Sequence, residues 1–426
     1  MAWFFKKSQE LNREEVTGLL IKCANECLRR LHNNPKRVLL LPPDITRAHS
    51  GAGWMTETLY NFFSLISDVY IMPTLGQHQP HTPEQNKWMF GNIPENKILK
   101  HDWLNDCERI GTIPACYVAN ITENKADWDI PVSINKILIE EKWDIIINIG
   151  HVVPHEVLGF ANHNKNYFIG LGGKEMICAS HMAAACYGIE NNLGNLITPL
   201  RHCYNKAEAE LIWSFPDVYI QLVMKYNDQG KLVHSGFYCG DDTDTYLLAA
   251  KQSMIENITV VPPLKKVVAI MQGDEFFSTW VANKAIYRTR KAMADGGELI
   301  IIAPGLKRFG ENNEVDQIIR RYGYAGTPKI MELWKKKDEL QNLTHATAHL
   351  IHGSSENRFK ITYAPGHLSK EEIESVNFNY LNITEALELY NPEILINGFN
   401  VLPDGEEIYF ISTPSAGLWT VKEKLV

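Results

Sequence analysis

The sequence predicts an α/β protein with mostly parallel sheet and a site at the carboxyl edge of that sheet. Three observations carry this. Short apolar runs such as Arg37 to Leu41 (RVLLL) and Ile145 to Ile149 (IIINI) read as strands buried on both faces. Helical segments alternate with them. Each run also ends in a polar, glycine- or proline-bearing segment, as in Pro42-Pro43-Asp44-Ile45-Thr46-Arg47 and Gly150-His151.

Length and composition set outer bounds. A chain of 426 residues exceeds one ordinary core, so two or three domains are expected. Fifty acidic residues against forty-two basic ones give a net charge of -8, which argues against a nucleic-acid or membrane-surface binder. No apolar run is long enough to span a bilayer. The start, MAWFFKKSQELNREEV, reads as a short apolar patch and then an amphipathic helix, in the wrong order for a secretory signal. The eight cysteines are scattered without a CxxC pair, so neither a four-thiolate zinc site nor a disulfide framework is expected, and a reducing cytoplasm fits. Cys23 and Cys27 stand four residues apart on one face of a predicted helix.

In chain order, Asn12 and Glu15 form a capping-box signal for a helix to about Leu31. Strand 37–41 follows, then a helix over 56–63 and a strand over 69–72. The second strand ends in Thr74-Leu75-Gly76-Gln77-His78-Gln79-Pro80-His81, and Thr82 caps the next helix. Strand 145–149 ends in His151, Pro154 and His155. Lys165, the Gly170-Leu171-Gly172-Gly173 turn and His181 come next, before a run of alanines. A strand over 217–224 and a hairpin partner over 233–238 flank the turn at Asn227-Asp228-Gln229-Gly230. Residues 260–264 read as a linker, and the domain boundary falls there: 1–262, then 263–426. The second part repeats the pattern, with strand 266–271, helix 278–294, strand 299–303 and later strands at 359–363 and 394–398.

Each chemical candidate has a plainer reading beside it. Asp44 with Arg47 can be a helix cap and its ion pair, although arginine after a strand suits an anion. His78 alone reads as a turn residue. Gly170 to Gly173 matches neither a Walker loop nor a dinucleotide fingerprint. His345, His349 and His352 stand at helical spacing without the glutamate of a zinc protease, which suggests a helix face lining a cleft or solvent. With no serine elbow, no cysteine–histidine signature and no paired carboxylates, histidine dominates, which suits proton transfer or racemisation.

Five segments in order then carry a resemblance. Asp44-Ile45-Thr46-Arg47, the Gly76, His78, Pro80 segment, the Pro154, His155, Gly159, Phe160 segment, Lys165, and His181 before its alanines resemble the nickel-pincer lactate racemases, from about Arg37 to the C-terminus. The resemblance implies two α/β domains with the active site in the interdomain cleft and the last residues packing back on the first domain. It implies a nickel ion held in a pyridinium mononucleotide with two sulfur-bearing arms, delivered by cofactor-supplying biosynthetic enzymes. It implies His181 as nickel ligand and Lys165 as a possible thioamide tether to the cofactor. His78 and His155 become the acid/base pair. Asp44, Arg47, Gly172 and Gly173 lie by the cofactor, and Arg47, Lys284 and His345 by the substrate. The family's Gly-Gly-Arg before the lysine is replaced by Asn162-His163-Asn164, its glutamine near Lys284 by Val281, and a later tryptophan is not evident. Asp274, Glu275, Ser278, Thr279 and His345 add polarity there. The activity implied is racemisation or epimerisation of a 2-hydroxy acid through a 2-keto acid, with a substrate larger and more polar than lactate, such as a sugar acid. The alternatives are lactate racemisation itself, a zinc-dependent hydrolase or lyase, and a non-catalytic protein that binds the cofactor.

Overall fold

The computed structural model describes residues 2–30, 34–227, 229–273 and 276–425. Asp274 and Glu275, the turn residue Asp228 and the expected helix end at Leu31 lie outside these residues. The chain forms two compact units: 1–180 with 194–256, and 181–193 with 257–426. The second unit thus takes in a segment, 181–193, that a division at 262 leaves in the first.

Unit 1 is built on a six-stranded sheet. Its strands are β1 (Phe4–Leu11), β2 (Arg37–Leu41), β3 (Asp68–Ile71), then β6 (Ile145–His151), β9 (Asp217–Tyr226) and β10 (Leu232–Gly240). Between them β4 (Cys107–Ile113) and β5 (Ile130–Asn135) make a separate antiparallel pair, and β7 (Pro154–His155) with β8 (Gly159–Phe160) another. The large sheet has the order β1-β10-β9-β6-β2-β3. β3, β2, β6 and β9 run parallel, and β10 and β1 close it antiparallel. The inner strands are apolar without alternation because both faces are covered; all seven residues of β6 are buried. On one face the helices Arg13–Arg30 and Ala52–Phe63 supply Leu20, Cys23, Cys27, Leu59 and Phe63 to a core with Leu40, Ile147 and Ile220.

Unit 2 repeats the scheme with β11 (Ile258–Val260), β12 (Leu264–Ile270), β13 (Met293–Ala303), β14 (Lys360–Pro365), β15 (Asn379–Tyr380), β16 (Gly398–Val401), β17 (Glu407–Ile411) and β18 (Leu418–Thr420). Its six-stranded sheet, β15-β14-β13-β12-β17-β16, is parallel except for the β16–β17 pair. The α/β class with mostly parallel sheets holds in both units.

Local predictions fare unevenly. Asn12 and Glu15 do cap each other's backbone N–H, at 2.9 Å both ways. Thr82 and Gln85 form a second capping box. The first residues, however, form β1 and not the start of a helix. Phe4 and Phe5 find an edge to pair with only because β10 lies beside them, a contact more than 200 residues away in sequence. Residues 260–264 are partly strand, since Ile258–Val260 pairs with Leu418–Thr420. The expected helix 278–294 is two short ones, Thr279–Ala282 and Lys284–Thr289, and 293–303 is one long strand. The last predicted strand lies at Gly398–Val401, after a segment whose turns run past Pro392.

Unit 1 also buries polar side chains. His163 is wholly buried, stacked on Tyr219 at 4.2 Å, with Nδ1 3.9 Å from Glu208. His101 is buried beside Asn135, Nδ1 to Nδ2 3.0 Å. Burial pushes both imidazoles down to about 4 from 6.5, against the pull of nearby carboxylates. Both are therefore neutral in the fold, while unfolded histidine takes up a proton below about 6.5. Their contribution is complete above pH 6.5 and is lost as pH falls from 6.5 towards 4, at up to roughly 3 kcal/mol each. Urea unfolding midpoints should accordingly fall between pH 7 and 4.5, and His163→Phe, which keeps a ring against Tyr219, should flatten that fall. An equally steep decline in the variant would remove His163 from the account.

Candidate active site

Because β3, β2 and β6 are parallel, the three segments that leave their carboxyl ends emerge at one edge of the sheet. The segment after β2 carries Asp44, Arg47 and His49; the one after β3 carries His78 and His81; β6 ends at His151, with His155 following. Strand pairing continues into the first two, through a parallel bridge between Pro43 and Thr74 and a 2.8 Å hydrogen bond from Thr74 N to the Pro42 carbonyl.

Asp44 and His78 meet in a short hydrogen bond between Oδ2 and Nδ1. Asp44 is buried and also accepts from the Thr46 hydroxyl at 2.6 Å. Burial alone would raise its carboxyl group; the His78 ring, the Thr46 hydroxyl and the Arg47 charge outweigh burial and hold it well below the usual carboxylate range. An ionised Asp44 fixes the His78 proton on Nδ1, so the lone pair of the neutral ring lies on Nε2. His155 is set the other way. Its Nδ1 accepts the Val157 N–H at 3.2 Å, so neutral His155 carries its proton on Nε2. One ring is poised to take a proton through Nε2 and the other to give one. His81 is structural: its Nε2 accepts the Ile45 N–H at 2.9 Å and its Nδ1 faces Asn86 Oδ1 at 3.2 Å, which ties the first two loops together. His151 lies edge-on to His49, centroids 6.1 Å apart.

Lys165 stands half-buried at the head of a π-helix, Asn166–Gly170. Such wide turns are frequent at functional sites. This one is docked on the His78 loop: the Gly76 N–H donates to the Gly170 carbonyl at 2.8 Å, and a Cβ on Gly170 would come 2.6 Å from Thr74 Cβ. Burial, and next the charge of Arg47, push the Lys165 amine down to about 8; Glu156 and Asp44 oppose this. Asp44, Arg47, His78 and Lys165 are thus one electrostatic group. Gly172 and Gly173 have a packing explanation. A Cβ there would meet the Phe168 carbonyl at 2.1 Å and Ser133 Oγ at 2.5 Å, as the turn closes onto β5.

The residues just before Lys165 are unusual. Asn162 and His163 both adopt left-handed backbone, φ 70° and 63°, a region natural to glycine and costly for histidine. Their side chains hold them there. Asn162 Nδ2 donates to Gln221 Oε1 at 2.7 Å, and the His163 ring stacks between Tyr219 and Tyr246. Asn164 accepts from Arg201, and its Nδ2 donates to Asn205 and Glu208. A guanidinium therefore does sit beside Asn164, supplied by the helix Pro199–Leu211. Composition gave no sign of this network; the Asn-His pair in place of glycines was its only trace.

His181 is half-buried in the helix Lys174–Tyr187, which begins in unit 1 and ends in unit 2. Lys284 opens its short helix in unit 2, directly after Asn283. Asn283 Oδ1 accepts from Tyr363, and His349 bridges Tyr287 and Tyr324 at 2.9 and 3.0 Å. His345, His349 and His352 are all buried, so the helix face they share is not turned to solvent. Trp280 lies against His345 at 5.9 Å and His349 at 4.5 Å, so an indole stands here from a different helix. Among the described residues no three His, Cys, Asp or Glu side chains group as a metal site, and no helix is long and apolar enough to cross a membrane.

Residues 6–192 match the family model for the lactate racemase N-terminal domain. Two solved structures are similar over nearly the whole chain. A protein from Thermotoga maritima superposes with a TM-score of 0.81 at 22% identity, covering 98% of this chain and 100% of its own. The lactate racemase apoprotein from Thermoanaerobacterium thermosaccharolyticum superposes with a TM-score of 0.71 at 15% identity, covering 98% of this chain and 94% of its own. No curated protein sequence matches. These likenesses establish the fold, and the family model bears out the resemblance carried by Asp44 to His181.

The Lys165 amine gives a direct chemical check on this geometry. Competitive acetylation from pH 6 to 10, read by mass spectrometry, should show Lys165 half-reactive near pH 8, with exposed lysines near 10.5. Lys165 titrating with the surface lysines would contradict its burial beside Arg47.

Proposed function

We propose that this chain, which carries the lactate racemase N-terminal domain over residues 6–192, is a racemase or epimerase of a 2-hydroxy acid that works with a nickel-pincer nucleotide. The observation that carries the reading is the opposite setting of two imidazoles on one sheet edge: His78 with its lone pair on Nε2, His155 with its proton there. Inverting a carbon that bears a hydroxyl group requires a base for the hydroxyl proton on one side and an acid to return it on the other. Both roles exchange in the reverse direction, which suits groups that titrate near neutral pH.

The donor set fits the nucleotide. With no three-residue metal cluster among the described residues, a metal is better held by one imidazole together with a non-protein ligand, and His181 is the candidate. An amine near pKa 8 is partly unprotonated at neutral pH, so Lys165 would be the candidate tether, condensing with a thiocarboxyl group to a thioamide with loss of water. When bound, the nickel-containing nucleotide supplies a hydride acceptor and donor. The protein's part is otherwise positional. Asp44 keeps the His78 tautomer and stabilises the imidazolium as the hydroxyl proton arrives. Arg47 and Lys284 are cations suited to a substrate carboxylate or a phosphate. Val281 in place of the family's amide supports a substrate other than lactate; we assign a larger and more polar one, with His345 its candidate contact.

The test loads the protein with nickel and the nucleotide and follows 2-hydroxy acids in D2O by proton NMR. Stereochemical change should appear, and His78→Ala and His155→Ala should each lose about two or more orders of magnitude in rate. His181→Ala should lose bound nickel, measured by metal analysis, with its circular dichroism unchanged. An aldonic acid should outcompete lactate. Near-wild-type rates in both histidine variants would make these rings structural; a clear preference for lactate would overturn the substrate class alone.

A further inference from the structure

Three thiols lie together in the core of unit 1. Cys23 and Cys27 come from successive turns of the helix Arg13–Arg30, and Cys239 from β10, on which that helix packs. All three are buried, at 0, 2 and 0% exposure. The sulfur atoms of Cys23 and Cys239 are 3.1 Å apart, and Cys27 also hydrogen-bonds Cys23. Closing the first contact to an S–S bond of about 2.05 Å takes roughly 1 Å of movement. The helical pair cannot close the same way, since side chains one turn apart have Cβ atoms about 5–6 Å apart, beyond the roughly 4.5 Å a disulfide tolerates. Among the described residues these thiols do not group as a metal site.

A cavity of about 520 Å³ opens beside this cluster, and Cys27 is in its wall. It lies where β6 and β9 begin, at the sheet end opposite Asp44 and His155, and Asp144, Glu208, Asp241 and Asp242 line it with Trp3 and Arg30, while Asp217, also in the lining, is pushed up to about 8 by burial. The carboxylates suit a small cationic reagent, and the wall it would meet holds Cys27, which hydrogen-bonds Cys23. Hydrogen bonding with Cys23, and next burial, raises the Cys27 thiol; burial raises Cys239, and hydrogen bonding with Cys239 raises Cys23, so the three are thiols at neutral pH.

We propose that Cys23 and Cys239 are a redox-responsive pair, oxidised by a low-molecular-weight cationic disulfide to a bond that ties the helix Arg13–Arg30 to β10. One protein thiol, as thiolate, attacks the reagent's disulfide; one reagent thiol leaves with the released proton. The second protein thiol attacks the mixed disulfide at the protein sulfur, the protein S–S bond forms, and the second reagent thiol leaves. Two protein thiols are oxidised and one disulfide is reduced to two thiols.

The experiment incubates the full, reduced chain with cystamine under native conditions, alkylates the remaining thiols in denaturant, and maps the digest by mass spectrometry. The expected product is a peptide pair joined through Cys23 and Cys239 in most molecules, reversed by dithiothreitol, retained in Cys27→Ser and absent in Cys239→Ala. Because Cys27→Ser tests the cluster with both partners in place, a folding failure of the Cys239 variant does not decide the matter. Cys23 and Cys239 both recovered alkylated from wild type, or Cys27 joined to either, would overturn the proposal.

Discussion

The parallel pairing of β2 with β3 on one side and β6 on the other is the constraint on which the site depends. It sends three chain segments out at the same edge, and each brings one component: a carboxylate and a guanidinium, an imidazole, and a second imidazole. Sheet hydrogen bonds alone would leave those segments loosely related. The docking of Gly76 N on the Gly170 carbonyl and the grip of His81 on the Ile45 N–H carry the sheet's order outward by two further links. The proposed acid/base pair inherits a geometry set by main-chain contacts, which is how a site made of loops becomes rigid.

Much of this was legible in the residues. Continuous apolar runs bounded by glycine and proline marked β2 and β6, because a strand buried on both faces cannot alternate. The positions of Asp44, His78 and His155 after such runs pointed to the same edge. What could not be read was everything held by distant partners. β1 is a strand because β10 offers it an edge; the β4–β5 pair has no strong pattern of its own; and Met293 to Gly297 belong to β13 because β12 is alongside. In each case tertiary pairing overrode a weak local preference.

The stretch before Lys165 shows how side chains hold a backbone that glycine adopts more easily. Left-handed conformations at Asn162 and His163 cost more than at glycine, and the offset is visible in the Gln221 amide and the Tyr219 and Tyr246 rings. Burial and the Arg47 charge, not these side chains, lower the Lys165 amine. Residue identities signalled the substitution without revealing what compensates it, since Gln221 and Tyr246 are remote in sequence.

The account rests on Asp44 holding the His78 proton on Nδ1. The most direct measurement is a low-temperature proton NMR spectrum in water of the wild-type chain, Asp44→Asn and His78→Gln. A strongly downfield, exchange-protected imidazole N–H resonance should be present in wild type and absent from both variants. Its absence from wild type, or its survival unchanged in Asp44→Asn, would contradict the pairing on which the acid/base assignment stands.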